Sequence, residues 1–221
     1  MDGRFAVRGV PGAGVTWEEV ARRAHEEGDG LQVDHDFSQD GSTFPFGTHV
    51  SVVEVDVETG AVRLLRHVAV DDCGTVVNPL LVRGQQHGGC VQGISQALWE
   101  EFRYDEHGNP VTATFADYTL PTAGDLVQLE TSLTTTPTDR NPLGAKGIGE
   151  AATVGSTPAV QNAFVDAVAH LGVRHVDLPC TPERVLGAVR EAGRGEHDPW
   201  RQPPAIFEDL PDLESVDDVE V

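Results

Sequence analysis

The chain has 221 residues with 36 acidic and 15 basic side chains, a formal charge of −21, and it is 39% hydrophobic with 24 Gly and 14 Pro. That length supports one large or two small domains with a real core, and the Gly and Pro content implies many turns. The acidity argues against nucleic acid or an anionic membrane surface as a partner, since both need a basic face. No apolar run approaches the ~20 residues that span a bilayer. The opening residues Met1 to Phe5 lack the basic and apolar regions of a signal peptide, so no membrane insertion and a cytoplasmic location are expected.

Residues 1–15 are punctuated by Gly and Pro and read as irregular. Thr16-Trp17-Glu18-Glu19 carries the Thr and Glu of a capping box and opens a short helix ending between Ala24 and Glu27. A polar, Gly-containing stretch follows up to Phe44-Pro45-Phe46-Gly47. From Thr48 to Val57 β-branched residues alternate with others, which predicts a strand. Glu58-Thr59-Gly60 is a hairpin turn, and Ala61 to Val70 is the returning strand, ended by Asp71-Asp72 and Cys73-Gly74.

Asn78-Pro79 sets an N-cap before a proline at N1 and predicts a helix to about Glu101. Gly84, Gly88, Gly89 and Gly93 lie inside it, each costing roughly 1 kcal/mol against alanine. They share roughly one face, which must approach a ligand or another backbone closely; tight packing is the plainer of the two readings. Tyr104 to Pro110 is a turn, and Thr112–Tyr118 and Val127–Thr136 read as strands. Ser156 or Thr157 with Pro158 is expected to cap a helix over Ala159–Leu171, with Gly172 as its stop signal. Val173–Leu178 reads as a short strand, and Thr181-Pro182-Glu183 caps a last helix to about Ala192. Trp17 and Trp99 are assigned to the core. The expected fold class is α+β, with mixed, mainly antiparallel strands and packed helices. It divides into a connecting segment with one short helix (residues 1–47), an α+β domain (48–192) and a disordered acidic tail (193–221).

Chemistry concentrates in Gly144-Ala145-Lys146-Gly147-Ile148-Gly149-Glu150. Three glycines in seven residues imply positive φ or close backbone approach. A carboxylate among small and apolar neighbours is a candidate for a raised pKa, as a general base needs; a solvated Glu on a tight turn is the alternative. The loop lacks the GK[ST] ending and spacing of a P-loop. Cys73, Cys90 and Cys180 form no CxxC pair or zinc pattern and read as buried small hydrophobes. Three cysteines do not suffice for an iron–sulfur cluster in this chain. His49, His67 and His87 are assigned to packing or surface, with His87 closest to the glycine face, and Asp71 and Asp72 to ending a strand.

Three blocks, 71–79, 84–93 and 141–150, together resemble the C-terminal portion of the large, molybdopterin-binding subunit of molybdenum hydroxylases. That family includes xanthine dehydrogenase, aldehyde oxidase and carbon monoxide dehydrogenase. The resemblance runs from about residue 15 to about 190 and implies the second molybdopterin-binding domain of that family. By it, Glu150 is the catalytic base in an oxidative hydroxylation with water-derived oxygen. Gly84 and Gln85, with Lys146, Gly147, Ile148 and Gly149, are cofactor-binding residues, and Asp117-Tyr118 line the pterin side. The implied cofactor is molybdenum–molybdopterin, in the plain or cytosine dinucleotide form; from the residues themselves a structural metal is not expected, and no metal-ligating residue is assigned. The implied partners are a chain carrying the remaining molybdopterin-binding half, an iron–sulfur subunit and an FAD subunit. The family's preceding region, which supplies that other half, has no counterpart in these residues. A non-catalytic remnant or partner-binding module is therefore the competing expectation.

Overall fold

The computed structural model describes residues 3–197 apart from 11, 29, 30, 32, 33 and 40. From residue 198 on, the expected acidic tail lies outside the described residues. Two units separate, Met1–Asp40 and Gly41–Val221.

The first unit opens with a small antiparallel hairpin, β1 (Arg4–Ala6) and β2 (Gly14–Thr16), where irregular chain is expected. Gly9, at φ +90°, turns the intervening loop, and Val7 N donates to Ala13 O to continue the pairing. Helix α1 (Trp17–Glu26) begins at the expected capping box: Glu19 N donates to Thr16 Oγ1 at 3.1 Å, and Thr16 N donates to Glu19 Oε2 at 2.7 Å. Trp17 is not core. It is 57% exposed, its ring edge-to-face with Phe5 at 4.7 Å.

In the second unit a three-stranded sheet has the order β3–β4–β5. Strands β3 (Phe46–Val55) and β4 (Val62–Asp72) pair antiparallel, and β5 (Leu129–Thr134) runs parallel to β4. Val52 pairs with Arg66 and Val53 with Leu64, which leaves Leu65 as an unpaired bulge residue. The bulge shifts the side-chain alternation by one, so Leu64 shares the buried face with His67, Ala69 and Asp71.

Helices α2 (Pro79–Leu98) and α3 (Ala151–Val168) pack on each other and on this sheet. Asn78 caps α2 as expected, its side chain accepting from the N–H groups of Leu80 and Leu81. Leu64, Ala69, Cys90, Ile94, Leu98, Val160, Phe164 and Val168 form the middle of the core, with Trp99 partly buried against it. A final helix, α4 (Pro182–Arg194), adds Val185 and Ala188. All three cysteines are free and buried, as expected.

The glycines of α2 divide between two environments. A Cβ on Gly93 would sit 2.1 Å from Ser156 Oγ and 2.8 Å from Thr153 O, and one on Gly89 would sit 2.9 Å from Ala152 Cβ. Gly84 and Gly88 have nothing within 4 Å of an added Cβ. The plainer expectation, tight packing, therefore holds for two of the four, with a helix as the neighbour.

This close packing also explains a displaced boundary. α3 starts at Ala151, eight residues before its expected start, and carries Pro158 inside it. Proline signals a helix start because it lacks an N–H, but here Ala152, Thr153 and Ser156 are held in helix by contact with Gly89 and Gly93. Two expected strands are absent. Thr114 Oγ1 donates to Asp117 Oδ2 and accepts from Ala116 N, folding 114–118 into a turn. Residues 173–177 are irregular: Val173 and Val176 enter the core, and Gln161 Nε2 rather than a strand partner donates to Val176 O at 2.7 Å.

Gly93→Ala is expected to destabilise the protein by about 1–3 kcal/mol through overpacking. Gly88→Ala, on the open side of the same helix, is expected to stabilise by about 1 kcal/mol through helix propensity. Urea unfolding of the two variants beside the parent checks the opposite signs.

Candidate active site

β4 ends in two buried carboxylates. Consecutive strand residues point to opposite faces, and these two organise different surroundings. Asp71 accepts from Gln86 Nε2 at 2.8 Å through Oδ2 and meets His49 Nε2 at 3.1 Å through Oδ1. Gln86 also donates to Ser132 O of β5 at 3.0 Å. Burial alone would raise Asp71, but the His49 and Gln86 bonds hold it below the usual carboxylate range.

Asp72 faces the loop between β5 and α3. Its Oδ1 takes Lys146 Nζ at 2.9 Å, Gly74 N at 2.9 Å and Thr136 N at 3.1 Å, and its Oδ2 accepts from Thr134 Oγ1 at 2.9 Å. Burial pushes this carboxyl up; the Lys146 ammonium and the three other donors outweigh it and hold Asp72 far below its ordinary value. Lys146 Nζ also lies 4.3 Å from the centre of the Phe46 ring.

The glycine-rich loop is fixed by its first half. Gly144, at φ +68°, accepts from Thr75 N at 2.9 Å and Thr138 N at 3.2 Å through its carbonyl, and Lys146 N donates to Cys73 O at 2.8 Å. A Cβ on Gly144 would approach Pro137 Cβ and Thr75 Oγ1 to 2.9 Å. Asn141 clamps the same turn, giving Nδ2 to Ala145 O and taking Ala145 N on Oδ1. The second half is open. The N–H groups of Gly147, Ile148 and Gly149 donate to no described residue.

Glu150 follows as the N-cap of α3, with no side-chain capping bond, and is exposed. The burial expected for it from its small and apolar neighbours is absent, because the loop and helix start turn outward. With Phe46, His49, Asp71, Gly147 and Gly149, it lines a cleft of about 500 Å³. Of the residues singled out in the sequence, Gly147, Gly149 and Glu150 meet there. Ile148 is half-buried, and the Lys146 ammonium turns to Asp72. Gly84 and Gln85 lie exposed near the start of α2, and it is the neighbouring Gln86 that is buried. Asp117 and Tyr118 sit elsewhere: Asp117 bonds Thr114, and the Tyr118 hydroxyl bonds Glu100.

Sequence reasoning missed His49 and Asp71, both of which line the cleft. The available signal was alternation, which sets His49 and Ser51 on one face of β3. Chemically, the cleft offers an exposed carboxylate, unpaired backbone donors and a buried His–Asp pair. That set suits a polar ligand rich in acceptor atoms, with a proton acceptor beside it.

Comparison with known proteins gives the same direction. A family model described as a molybdopterin cofactor-binding domain matches residues 1–127. The carbon monoxide dehydrogenase large chain of Hydrogenophaga pseudoflava is 39% identical over 193 residues, covering 85% of this chain and 24% of that one. Among solved structures, a Cu,Mo-CO dehydrogenase in its carbon monoxide reduced state superposes with a TM-score of 0.79 at 36% identity, over 89% of this chain and 25% of the other. Quinoline 2-oxidoreductase from Pseudomonas putida 86 gives 0.72 at 36% identity, over 86% and 25%. The chain thus spans about a quarter of the length of the relatives it matches.

The buried Lys146–Asp72 pair yields a stability test. Lys146→Met leaves an uncompensated buried carboxylate and is expected to cost about 3–5 kcal/mol in urea unfolding at pH 7. Because the folded-state pKa of Asp72 is depressed, its contribution is full above the ordinary carboxylate value near ~3.9 and is lost as pH falls below it. Asp72→Asn should accordingly lose stability at neutral pH and show a flatter acid limb than the parent.

Proposed function

The chain belongs to the molybdopterin cofactor-binding domain family and corresponds to a segment of molybdenum hydroxylase large subunits; from that premise we propose that it forms one wall of a molybdenum-dependent hydroxylase site and supplies Glu150 as the base. The observation that carries this reading is the meeting, in one cleft, of an exposed carboxylate and a loop with unpaired backbone donors. Molybdopterin is rich in hydrogen-bonding atoms, and the chain offers matching groups. Gly147, Ile148 and Gly149 present backbone N–H groups, Gln85 presents an exposed amide, and Gly84 leaves open space for close approach. Lys146 serves by holding the loop to Asp72.

When bound, the cofactor supplies the two-electron redox chemistry. The chain's own contribution is proton handling: a Glu150 carboxylate oxygen takes a proton from the water whose oxygen enters the product. Electrons then leave to iron–sulfur and FAD subunits. A chain or segment carrying the other molybdopterin-binding half completes the site and covers large apolar side chains exposed here, among them Leu80, Leu81, Phe115 and Val154. The same side chains also favour a second reading, a partner-binding module without catalysis, which requires assemblies free of molybdenum.

Co-purification of the chain with its large-subunit, iron–sulfur and FAD partners tests both. Molybdenum and pterin in the assembly support the first reading, and extraction of the cofactor distinguishes the plain from the cytosine dinucleotide form. In that assembly Glu150→Gln is expected to lower turnover at least ~100-fold with molybdenum content unchanged. Turnover equal to the parent's removes Glu150 from the mechanism.

A further inference from the structure

The buried face of the sheet changes character along its length. Between and beyond Leu64 and Ala69 it is polar at His67 and Asp71, and two imidazoles and a thiol gather there: His49 on β3, His67 on β4 and Cys90 on α2. One ring nitrogen of each histidine and Cys90 Sγ all lie within 4.8 Å of one another. The group is sealed from solvent, with His67 and Cys90 0% exposed and the His49 side chain 2%.

Each imidazole is held by one nitrogen and bare at the other. His49 Nε2 meets Asp71 Oδ1 at 3.1 Å, and His67 Nδ1 meets Ser51 Oγ at 2.8 Å. His49 Nδ1 and His67 Nε2 are buried with no hydrogen-bond partner. An unpaired buried polar atom costs about 1–3 kcal/mol, and here there are two beside a thiol that bonds neither. Metal-bound histidines show this division of labour: the outer nitrogen is fixed by a carboxylate or other polar group, and the inner lone pair is left for the ion.

We propose that His49 Nδ1, His67 Nε2 and Cys90 Sγ form a binding site for one zinc ion, buried behind the cleft assigned to molybdopterin and sharing His49 with its wall. Two neutral imidazoles and a thiolate are zinc ligands, and three protein ligands is the count of sites that keep a fourth corner for solvent. Around tetrahedral zinc, with bonds of about 2.0–2.3 Å, ligand atoms sit closer together than the 4.8 Å limit seen here. The side chains therefore close inward on the ion. Charge also balances: on binding, Cys90 releases its proton to solvent, and the thiolate with the adjacent Asp71 carboxylate offsets the two positive charges. His49 and Asp71 border the cleft beside Glu150.

The test uses the untagged 221-residue chain, stripped with chelator and reloaded. One zinc per chain should survive gel filtration, and the cobalt(II)-loaded protein should show a thiolate-to-metal charge-transfer band. Cys90→Ser should remove that band and weaken zinc binding at least ~100-fold, whereas His197→Ala, in the separate polar cleft beside α4, should change neither. Where the Cys90 variant fails to fold, residue-resolved alkylation of the parent decides, since zinc should slow modification of Cys90 and leave Cys180 unchanged. Absence of bound zinc, a cobalt spectrum without the thiolate band, loss of binding in His197→Ala or equal alkylation of Cys90 with and without zinc overturns the site.

Discussion

Burying a carboxylate costs several kcal/mol unless it is paired and hydrogen-bonded, and β4 buries two in succession. Asp71 and Asp72 are each surrounded by donors that keep the charged form inside the protein. Because they face opposite ways, they tie the end of one strand to two different parts of the molecule. Asp71 links the sheet to α2 through Gln86 and to β3 through His49. Asp72 links it to the loop that carries Glu150, through Lys146 and the chain at Thr134 and Thr136. The loop that carries the candidate base is in this sense held by a buried carboxylate, Asp72.

The apolar part of the structure makes that arrangement possible. α2 and α3 approach closely enough that Gly89 and Gly93 leave no room for a Cβ, and the Leu65 bulge brings Leu64 into line with Ala69 beneath them. α3 lies directly over His49, where a Cβ on Gly155 would fall 2.7 Å from the imidazole ring. Packing thus buries the polar cluster, with His67 and Cys90 0% exposed. No helix among the described residues is long and apolar enough to cross a membrane.

Where a local side chain meets a local backbone group, the fold was legible in the sequence. The Thr16–Glu19 box and the Asn78–Pro79 cap mark helix starts within a few residues of the atoms that satisfy them, and alternation located the β3–β4 hairpin. The site was legible in part, because the glycine pattern around Glu150 requires a short, tightly turned loop wherever it sits. Glu150's exposure was not legible, since small and apolar neighbours are compatible with either direction of the turn. His49 was read as packing or surface and Asp71 as the end of a strand, because the two partners lie 22 residues apart in sequence and each alone resembles an ordinary strand residue.

The sequence by itself determined the acidic character, the local caps and turns, and the residue types available at the loop; these depend on contacts within a few positions of the chain. Tertiary structure alone decided the start of α3, the side of α2 that each glycine faces and the loss of two expected strands. It also decided the assembly of His49, His67, Asp71, Gln86 and Cys90 into one buried group. The physical reason is common to all of these. Proline's helix-start signal, glycine's cost and a polar residue's preference for water amount to one to a few kcal/mol each, and long-range packing and pairing supply enough to reverse them.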